Sequence, residues 1–583
     1  MEIYKICIDD REYSSWNIVD TKTLLFSNIN INPIKNKLFS NDVFSLDITE
    51  NVNIINSSIR SGKIISGVLI VNGNKTYGRN KKNKFLYKCI PDDNKLPNFL
   101  VPYEIKNMGF NKVFSNLYIT IIFEKWEDKH PYARLNQIIG DVNVLVNFYE
   151  YQLYCKNLNI SLQKFTKESS IAFNNSEFSN LYKDSDELFI KNIKDKYKYI
   201  EDRTNLKDFF IFTIDPLNSV DLDDAFSIKK LDDGVTMISV YIANLYIYIN
   251  ELNLWKSFSE KVATIYLPDK KRSMIPNILS ESLCSLVKGS IKLAFVMDIF
   301  IKDDNIFDIK YKNCLIKVNK NFYYEQPELL NNNNYINLMK FNKIISLKIP
   351  QKNDFVANND DSHDVVSNLM IFMNWNCAKE MFRNKSGIFR TNSIKEITKE
   401  NVLTNEKKYI CKRNNSIGKY EQFTDNTSFR HDSLNLDCYL QITSPIRRLV
   451  DFLNLIKFQE KFNMIPVSNT ASDFYNKWIN KLEYINNTMN SIKKIQNDCN
   501  ILDLCSCDKN ILDIEHKGVI FEKMDNKGEN GLFKYTVFLP EIKIFGKINV
   551  TENIENYSYR KIKLFLFNNE FKQKIKFHLL REN

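Results

Sequence analysis

The sequence has few of the residues that build zinc centres, disulfide frameworks and flexible linkers. Its 583 residues include 5 His, and its 11 Cys contain no C-x-x-C pair. Neither a zinc site nor a secreted disulfide framework is therefore indicated. With 14 Gly and 13 Pro, the domain boundaries cannot be read from Gly- and Pro-rich linkers.

Long hydrophobic runs and a secretory leader are also missing. No apolar run approaches the roughly 18 residues of a membrane span. The residues after Met1 lack the charged-then-apolar layout of a signal peptide. We therefore expect no membrane partner and an intracellular location, cytoplasmic or nuclear, in a reducing compartment. Nothing in the sequence indicates a particular protein partner.

Length and composition indicate a multidomain globular protein. A chain of this length suggests three to five domains, and 44% hydrophobic with 26% charged residues argues against wholesale disorder. The 81 basic and 70 acidic residues give a formal charge of +11. This surplus suits a polyanionic partner but does not prove one, since many soluble proteins carry as much. The basic residues are spread along the chain, which favours a channel or a broad surface over a basic tail.

Short strands at both ends and a mixed central region indicate a multidomain α+β fold. Runs rich in β-branched and aromatic residues predict strands at 64–71, 117–123, 142–148, 517–521, 534–539 and 543–550. Strands at this spacing fit small β-barrels, which include the OB-fold that binds single-stranded nucleic acid, or generic β-domains. The central region predicts strands at 209–214 and 237–249, then helices at 365–382 and 471–500, with an acidic loop at 354–364. Ser444 and Pro445 predict the N-cap and first position of a further helix.

Four Asp residues lie within ten residues, directly after an apolar strand: Asp215, Asp221, Asp223 and Asp224. Pro216 keeps Asp215 out of a helix. Carboxylates packed this closely repel one another, and a hard divalent cation relieves that repulsion. Because no His or Cys is nearby, the oxygen ligands point to Mg²⁺ or Mn²⁺, as used in phosphodiester cleavage. A solvated acidic loop and a calcium loop are the alternatives, although the Gly and Glu of an EF-hand loop are missing.

Two Arg and one Tyr complete the candidate site. Arg447 and Arg448 are expected near free backbone N–H groups in the first turn of the helix after Ser444, where they suit a phosphate. The alternative is a pair of surface arginines bound to Asp437 or Asp451. Tyr266 precedes a rigid Leu-Pro segment and could stack on a base if exposed, although a core position is commoner for Tyr.

These motifs, taken in order, resemble those of the ribonuclease II (RNB) family, which includes ribonuclease R and the catalytic subunit of the eukaryotic exosome. Residues 213–225 resemble T-I-D-P-x-x-A-x-D-x-D-D-A, with Ser219 near the small position. Residues 431–448 keep the spacing of H-x-G-L…Y…T-S-P-I-R-R. Further matches follow the family order at 240–244, 266–269, 274–276, 279–280, 283–286 and 324–325. The resemblance covers roughly residues 200–460.

The resemblance implies a magnesium-dependent, processive 3′→5′ exoribonuclease that hydrolyses single-stranded RNA to 5′-mononucleotides by a two-metal mechanism. The four Asp would hold Mg²⁺ or Mn²⁺, and Asp223 and Arg447 would be catalytic. RNA contacts are implied for Tyr266, Tyr324, Arg447, Arg448 and Asn368.

The family layout also implies a domain organisation. Two cold-shock-like β-barrels are expected at 1–100 and 101–195, a central mixed α/β RNB catalytic domain at 196–505 and a C-terminal OB-fold that binds RNA at 506–583. Trp126 and Gly140 resemble residues of the second barrel. We expect no N-terminal endonuclease domain.

Several family positions are replaced, and two other functions stay open. Tyr241 and Asn244 replace the His and Asp of V-H-I-A-D, and a Glu pair is replaced by Ser367 and Asn368. Further along, Leu449 stands for Tyr, and Leu455 and Ile456 stand for His-Arg. Weaker contacts with the terminal ribose are expected, while the metal ligands are kept. The alternatives are an RNA-binding protein that does not cut and a metal-dependent deoxyribonuclease.

Overall fold

The computed structural model describes most of the chain. The described residues are 2–48, 51–105, 114–176, 194–197, 199–350, 361–393, 406, 410, 418–425, 427–524, 531–569 and 572–580. None of the helices within these ranges is long and apolar enough to cross a membrane.

An antiparallel sheet opens the chain. Its strands are β1 (Ile3–Ile8), β2 (Trp16–Asp20), β3 (Phe26–Ser27), β4 (Val43–Leu46) and β5 (Val52–Asn56). They lie in the order β3-β2-β1-β4-β5. Every second side chain of β1 is buried, which is the alternation expected of a strand with one face on a core.

A closed barrel follows. Its strands are β6 (Ile64–Ile70), β7 (Leu86–Pro91), β8 (Phe99–Pro102), β9 (Leu117–Lys125) and β10 (Tyr132–Asp141), in the order β10-β8-β7-β6-β9. The strands predicted at 64–71 and 117–123 are confirmed. The boundary predicted between residues 100 and 101 lies inside this one barrel.

The segment predicted as a strand at 142–148 is wrong, because it leads into helix α1 (Leu145–Cys155), which α2 (Gln163–Asn174) follows. In α1, Phe148, Tyr149, Tyr151 and Leu153 are buried. These side chains pack in a core shared with residues of the central unit, so tertiary packing overrides the strand preference of the aromatic residues.

The central unit is built on a seven-stranded sheet. Its strands are β11 (Ile200–Arg203), β12 (Phe212–Asp215), β13 (Asp224–Lys230), β14 (Thr236–Ala243), β17 (Ile291–Lys302), β18 (Asn305–Lys317) and β19 (Lys320–Tyr323). The order is β11-β18-β17-β14-β13-β12-β19. Between β14 and β17 come α3 (Leu245–Glu251) and a small hairpin of β15 (Ile265–Tyr266) and β16 (Lys271–Arg272). The strand predicted at 237–249 is therefore correct to Ala243 and wrong beyond it, since a short apolar run cannot distinguish a buried strand from a buried helix.

Several helices follow the last strand of this sheet along the chain. They are α4 (Pro327–Leu330), α5 (Asn333–Lys348), α6 (Ser362–Arg383), α7 (Leu449–Lys461), α8 (Asn469–Ile479), α9 (Leu482–Cys507) and α10 (Asn510–Asp513). A hairpin of β20 (Ile388–Thr391) and β21 (Lys419–Gln422) lies between α6 and α7. The predicted helix 365–382 is confirmed, whereas 471–500 divides into α8 and α9. Of the predicted acidic loop 354–364, residues 354–360 lie outside the described residues and Ser362 already begins α6.

The predicted start of a helix at Ser444 and Pro445 is wrong, because α7 begins at Leu449. The residues before it run beside 262–264, where Thr264 N–H donates to the Arg447 carbonyl (2.9 Å) and Leu449 N–H donates to the Val262 carbonyl (2.9 Å). Residues 445–447 form a turn, in which Arg448 N–H donates to the Ser444 carbonyl (3.0 Å), and the strand-like bonds hold Arg448 extended, directly before the helix.

The C-terminal unit is a curled antiparallel sheet. Its strands are β22 (Glu515–Met524), β23 (Phe533–Leu539), β24 (Ile544–Val550), β25 (Ser558–Asn569) and β26 (Lys572–Leu579), in the order β24-β23-β22-β25-β26. Gly546 on β24 faces Phe577 on β26 so closely that an added Cβ would lie 2.3 Å from the ring. The strands predicted here are confirmed, as is the multidomain α+β class, while the limits of the predicted domains stay a prediction.

Candidate active site

The acidic residues lie at the end of β12, in the loop after it and at the start of β13. Leu222 anchors the loop: its N–H donates to Ser285 Oγ (3.0 Å), and its carbonyl accepts from Leu286 N–H (3.0 Å). The Asp223 carbonyl accepts from Ala243 N–H at 2.8 Å. Because Asp223 and Asp224 are 2% and 8% exposed, the alternative of a solvated acidic loop is wrong.

Three of the four carboxylates have an unsatisfied oxygen. The Oδ2 atoms of Asp215, Asp223 and Asp224 are buried and have no hydrogen-bond partner. Burial, with smaller contributions from Asp224 and Asp221, raises the pKa of Asp223 to about 8. Burial and the neighbouring acids also raise the pKa values of Asp215 and Asp224. Ionisation of this cluster is therefore unfavourable, and a bound cation would stabilise the ionised carboxylates.

Asp221 differs from the other three because both of its oxygens have partners. Tyr266 OH donates to Oδ2 at 3.2 Å, and Lys271 Nζ donates to Oδ1 at 3.0 Å. Tyr266 and Lys271 are directly opposed across the β15–β16 hairpin. Lys271 Nζ also lies 2.9 Å from Glu281 Oε1. The sequence analysis did not identify Lys271 or Glu281.

Arg447 reaches the cluster from the turn at 445–447, before α7. Its Nε lies 3.3 Å from Asp223 Oδ2, an ion pair without hydrogen-bond geometry. Ile446 N–H donates to Asp223 Oδ1 at 3.0 Å, and Arg447 Nη2 donates to Ser444 Oγ at 3.2 Å. The Arg447 side chain is 45% exposed, so it lies between the acids and the solvent-filled side of the site.

Arg448 also donates to Ser444 Oγ (Nη2, 3.1 Å), but its carboxylate partner differs from that of Arg447. Its Nη2 donates to Asp451 Oδ1 at 2.8 Å, and the Asp451 side chain is fully buried. The predicted alternative of pairing with Asp451 therefore holds for Arg448 and not for Arg447. Asp437 instead accepts from the Trp375 indole at 3.0 Å. A contact between Arg448 and RNA stays a prediction.

Two tyrosines border the acids. Tyr266 is 39% exposed, and Tyr324 stacks on His363 with ring centroids 3.7 Å apart. Burial, together with Asp221 for Tyr266 and with Asp224 and Asp215 for Tyr324, raises both pKa values. Both rings therefore lie within electrostatic reach of the carboxylates. Their stacking on bases stays a prediction.

An open cavity of 420 Å³ lies beside Asp215. The loop after β12 forms one wall and β19 the other, with Asn321 and Tyr323 on the β19 side. Glu281 also lines it. Of the four cluster acids, Asp215 therefore borders a space that a ligand can enter.

The replaced family positions are occupied by buried structural groups. Asn244, Asn313 and Gln459 form a closed ring of side-chain amides, each donating to the next at 2.8, 3.1 and 3.2 Å. Tyr241 OH lies 2.9 Å from Ser227 Oγ, inside the sheet. These positions are satisfied without a ligand.

The helical replacements are also mostly buried. Leu449, Leu455 and Ile456 belong to the apolar core. Ser367 is exposed, whereas Asn368 is 3% exposed on the packed side of α6. The predicted contact between Asn368 and a terminal ribose is untested and stays a prediction.

Comparison with known proteins identifies the central unit. Residues 203–337 match the model of the RNB domain. The chain contains an RNB domain. The matched residues include all four Asp, Tyr266, Lys271 and Tyr324, whereas Arg447 lies beyond the matched range.

Individual proteins extend the likeness on both sides of the RNB domain. Exoribonuclease 2 from Vibrio parahaemolyticus is 26% identical over 312 residues, which cover 42% of this chain and 47% of that protein. The chain thus matches about half the length of this relative. Two solved structures are similar in fold. Mycoplasma genitalium RNase R in complex with ribose-methylated single-stranded RNA has a TM-score of 0.63 at 17% identity, covering 96% of this chain and 98% of that chain. Yeast Ssd1, a pseudonuclease, has a TM-score of 0.57 at 13% identity, covering 94% and 78%.

Proposed function

We propose that this chain is a 3′→5′ exoribonuclease of the RNase II/R type that uses Mg²⁺ or Mn²⁺ to hydrolyse single-stranded RNA processively to 5′-mononucleotides. The observation that carries the proposal is the acidic cluster of the RNB domain, in which three buried carboxylate oxygens lack hydrogen bonds and one of them, Asp223 Oδ2, is ion-paired with Arg447. Similarity to Exoribonuclease 2 and to RNase R supports it.

The donor atoms of the cluster fit a hard divalent cation. Asp215, Asp223 and Asp224 each offer a buried oxygen without a hydrogen-bond partner, and carboxylate oxygens are the ligands that Mg²⁺ and Mn²⁺ prefer. Within the described ranges, however, no three Asp, Glu, His or Cys side chains already stand close enough to hold one ion. The carboxylates must therefore draw together on binding. Bound there, the metal supplies an activated water and stabilises the leaving oxygen.

The chain's own residues would orient the RNA at this site. Arg447 is partly exposed and is held by Ser444, so its guanidinium can exchange Asp223 for the scissile phosphate. A planar Arg fork suits the oxygens of a phosphate. Tyr266 and Tyr324 would stack on the bases next to the 3′ end. Arg447 would then stabilise the charge that builds on the non-bridging oxygens.

The choice between RNA and DNA is tested with matched oligomers of one sequence. We expect the RNA to be reduced to 5′-mononucleotides and a short residual oligomer, while the DNA is degraded much more slowly. Preferential degradation of the DNA would instead support a deoxyribonuclease. Binding of RNA without any degradation would support a non-cutting function, as the name of the pseudonuclease Ssd1 implies for that protein.

A basic and aromatic surface on the C-terminal unit fits single-stranded RNA. We define the β25–β26 face as Lys561, Lys563, Phe565, Phe567, Lys574, Lys576 and His578. The register pairs Lys563 with His578, Phe565 with Lys576 and Phe567 with Lys574, so these side chains share one side of the ribbon. Phe565 is 46% exposed, and neither strand contains Asp or Glu. Basic residues track the phosphates of a single strand, and aromatic rings stack on its bases.

Replacing Lys563, Lys574 and Lys576 with Gln should flatten the salt dependence of RNA binding. Each phosphate contact of a single strand contributes about −0.7 to the slope of log affinity against log salt, so three lost contacts should reduce the slope by about 2. The measurement is fluorescence anisotropy over a range of salt concentrations. The matched control replaces the exposed Lys340, Lys343 and Lys348 of α5. An equal change in both proteins would contradict a specific role of the β25–β26 face.

Tyr266 is expected to set the length of the residual oligomer. Stacking on a base contributes about 1–3 kcal/mol, so Tyr266→Ala should release the RNA earlier and leave a longer end product, whereas Tyr266→Phe keeps the ring and should leave it unchanged. Product sizing on a denaturing gel measures this. Tyr266→Phe also removes the hydrogen bond from Tyr266 OH to Asp221. If this variant cleaves more slowly but leaves an end product of normal length, the hydrogen bond affects the cleavage rate and not the length of the product.

A further inference from the structure

The acidic cluster contains one carboxylate that is already neutralised. Lys271 Nζ lies 3.0 Å from Asp221 Oδ1, and its side chain is 22% exposed. The same ammonium group lies 2.9 Å from Glu281 Oε1. Lys271 therefore bridges a candidate metal ligand and an acid that lies outside the cluster.

The elements that carry Lys271 and Glu281 hold them in these places. Arg272, next to Lys271 on β16, is fixed by Asp269 (Nη2 to Oδ2, 2.8 Å) and by Glu150 of α1 (Nη2 to Oε2, 3.2 Å). Glu281 lies in a π-helical turn, Ile278–Leu283, and such turns occur often at functional sites. The bridge thus joins two anchored segments and is not a chance contact of mobile surface chains.

We propose that Lys271 is a positioning residue that sets the divalent-cation affinity of the acidic cluster by sharing its ammonium group between Asp221 and Glu281. The inference rests on the proposed metal-binding function. While Lys271 pairs with Asp221, it occupies an oxygen that a cation needs and places a positive charge beside the cluster. When Lys271 pairs with Glu281 alone, Asp221 can join the other three carboxylates.

The proposal predicts opposite effects for the two partners. Lys271→Met keeps the length of the side chain and removes its charge, so Asp221 Oδ1 is freed, while Tyr266 OH still donates to Oδ2. Repulsion of the cation is also lost. Glu281→Gln removes the competing acceptor, so Lys271 stays on Asp221. The first variant should bind the cation more tightly and the second more weakly. If Glu281 acts through Lys271, Glu281→Gln should have no effect once Lys271 is Met.

The test is a titration of the full-length, RNA-free protein with Mn²⁺, in which electron paramagnetic resonance measures the free ion. We expect about tenfold tighter binding for Lys271→Met and about tenfold weaker binding for Glu281→Gln, corresponding to about 1.4 kcal/mol each. The double variant should match Lys271→Met within about twofold. Lys270→Met, an exposed neighbour with the same charge change, should match the wild type.

Two results would overturn the inference while leaving the proposed function in place. One is unchanged or weaker binding by Lys271→Met, and the other is an effect of Glu281→Gln that persists in the double variant, since a general charge effect does not need Lys271. Absence of Mn²⁺ binding by the wild type would instead overturn the proposed metal function and this inference with it. Because Mn²⁺ binding is measured directly, none of these results depends on RNA cleavage.

Discussion

Asp223→Asn is expected to abolish RNA cleavage while RNA binding stays within a few-fold of the wild type. The substitution removes one negative charge from the buried cluster and changes the side-chain volume little. Metal-assisted stabilisation of charge contributes several kcal/mol to such a reaction, so the rate should fall on the order of 10³-fold or more. Single-turnover cleavage and anisotropy with the same oligomer measure the two quantities. Near wild-type cleavage by this variant would contradict the assignment of the cluster.

The same substitution should stabilise the protein in the absence of divalent cations. Burial raises the pKa of Asp223 to about 8, above the roughly 4 of an unfolded Asp. Between these values the native state binds more protons than the unfolded state, so its free energy of unfolding falls as the pH rises. In Asp223→Asn the side chain cannot ionise, so this fall in the free energy of unfolding does not occur. In EDTA this variant should be more stable than the wild type at pH 8.5, and the difference should disappear near pH 4.

Asp221→Asn is the matched control for this stability effect. Its carboxylate has partners on both oxygens, so removing the charge leaves Lys271 with Glu281 alone. This variant should not gain stability at pH 8.5. An equal gain in both variants would mean that the repulsion is general and is not tied to the unpartnered oxygens. Thermal unfolding in EDTA across the pH range measures the difference.

Arg447→Ala is expected to lower the cleavage rate by about 10²–10³, the range seen when one preorganised donor is removed. Arg447→Lys keeps the charge but loses the planar fork, so it should also be slow. Binding of long RNA should change much less, because many other contacts hold the strand. The measurement is single-turnover cleavage beside thermal unfolding. A near wild-type rate in both variants would remove Arg447 from the chemistry.

Arg448→Ala is expected to lower the stability of the protein, in contrast to Arg447→Ala. Arg448 pairs with the fully buried Asp451, so its loss leaves a buried charge without compensation and should cost about 3–5 kcal/mol of stability. Arg447 is 45% exposed, and its loss should cost much less. Adjacent arginines are therefore expected to separate into one catalytic and one structural residue. The opposite order of stabilities would contradict this division.

The acidic cluster could be predicted from sequence because its pattern is local. An apolar strand followed by Asp215, a turn and three further Asp places all four carboxylates within one loop and the strand ends beside it. Leu222 indicated that the loop is tied to a core, and it is buried. The terminal strands that were confirmed could be predicted for the same reason, since the run of β-branched and aromatic residues lies within each strand.

Features set by distant contacts could not be predicted. Ser444 and Pro445 have the local chemistry of a helix start, and a turn follows at 445–447. Hydrogen bonds with 262–264 then hold Arg448 extended, so α7 begins only at Leu449. The bridge of Lys271 between Asp221 and Glu281 joins three segments that no sequence spacing relates. The barrel that crosses residue 100 is closed by pairing of β10 with β8 and β9, which depends on the whole unit.

At one of the replaced family positions, the polar side chain finds its hydrogen-bond partners in other parts of the chain. The side-chain amide of Asn244 donates to Asn313 and accepts from Gln459, and both partners lie far away in the sequence. Only the folded chain shows that these three amides form a ring. The Asn244 side chain is therefore fully hydrogen-bonded within the core.

The central claim is tested most directly by incubating the wild-type protein and a single-stranded RNA labelled at its 5′ end with Mg²⁺ or with EDTA. The proposed function predicts that Mg²⁺ supports loss of the full-length RNA from its 3′ end, with 5′-mononucleotides released and a short labelled oligomer left. It predicts no degradation in EDTA. Degradation that continues in EDTA, or intact RNA in the presence of both Mg²⁺ and Mn²⁺, would contradict it.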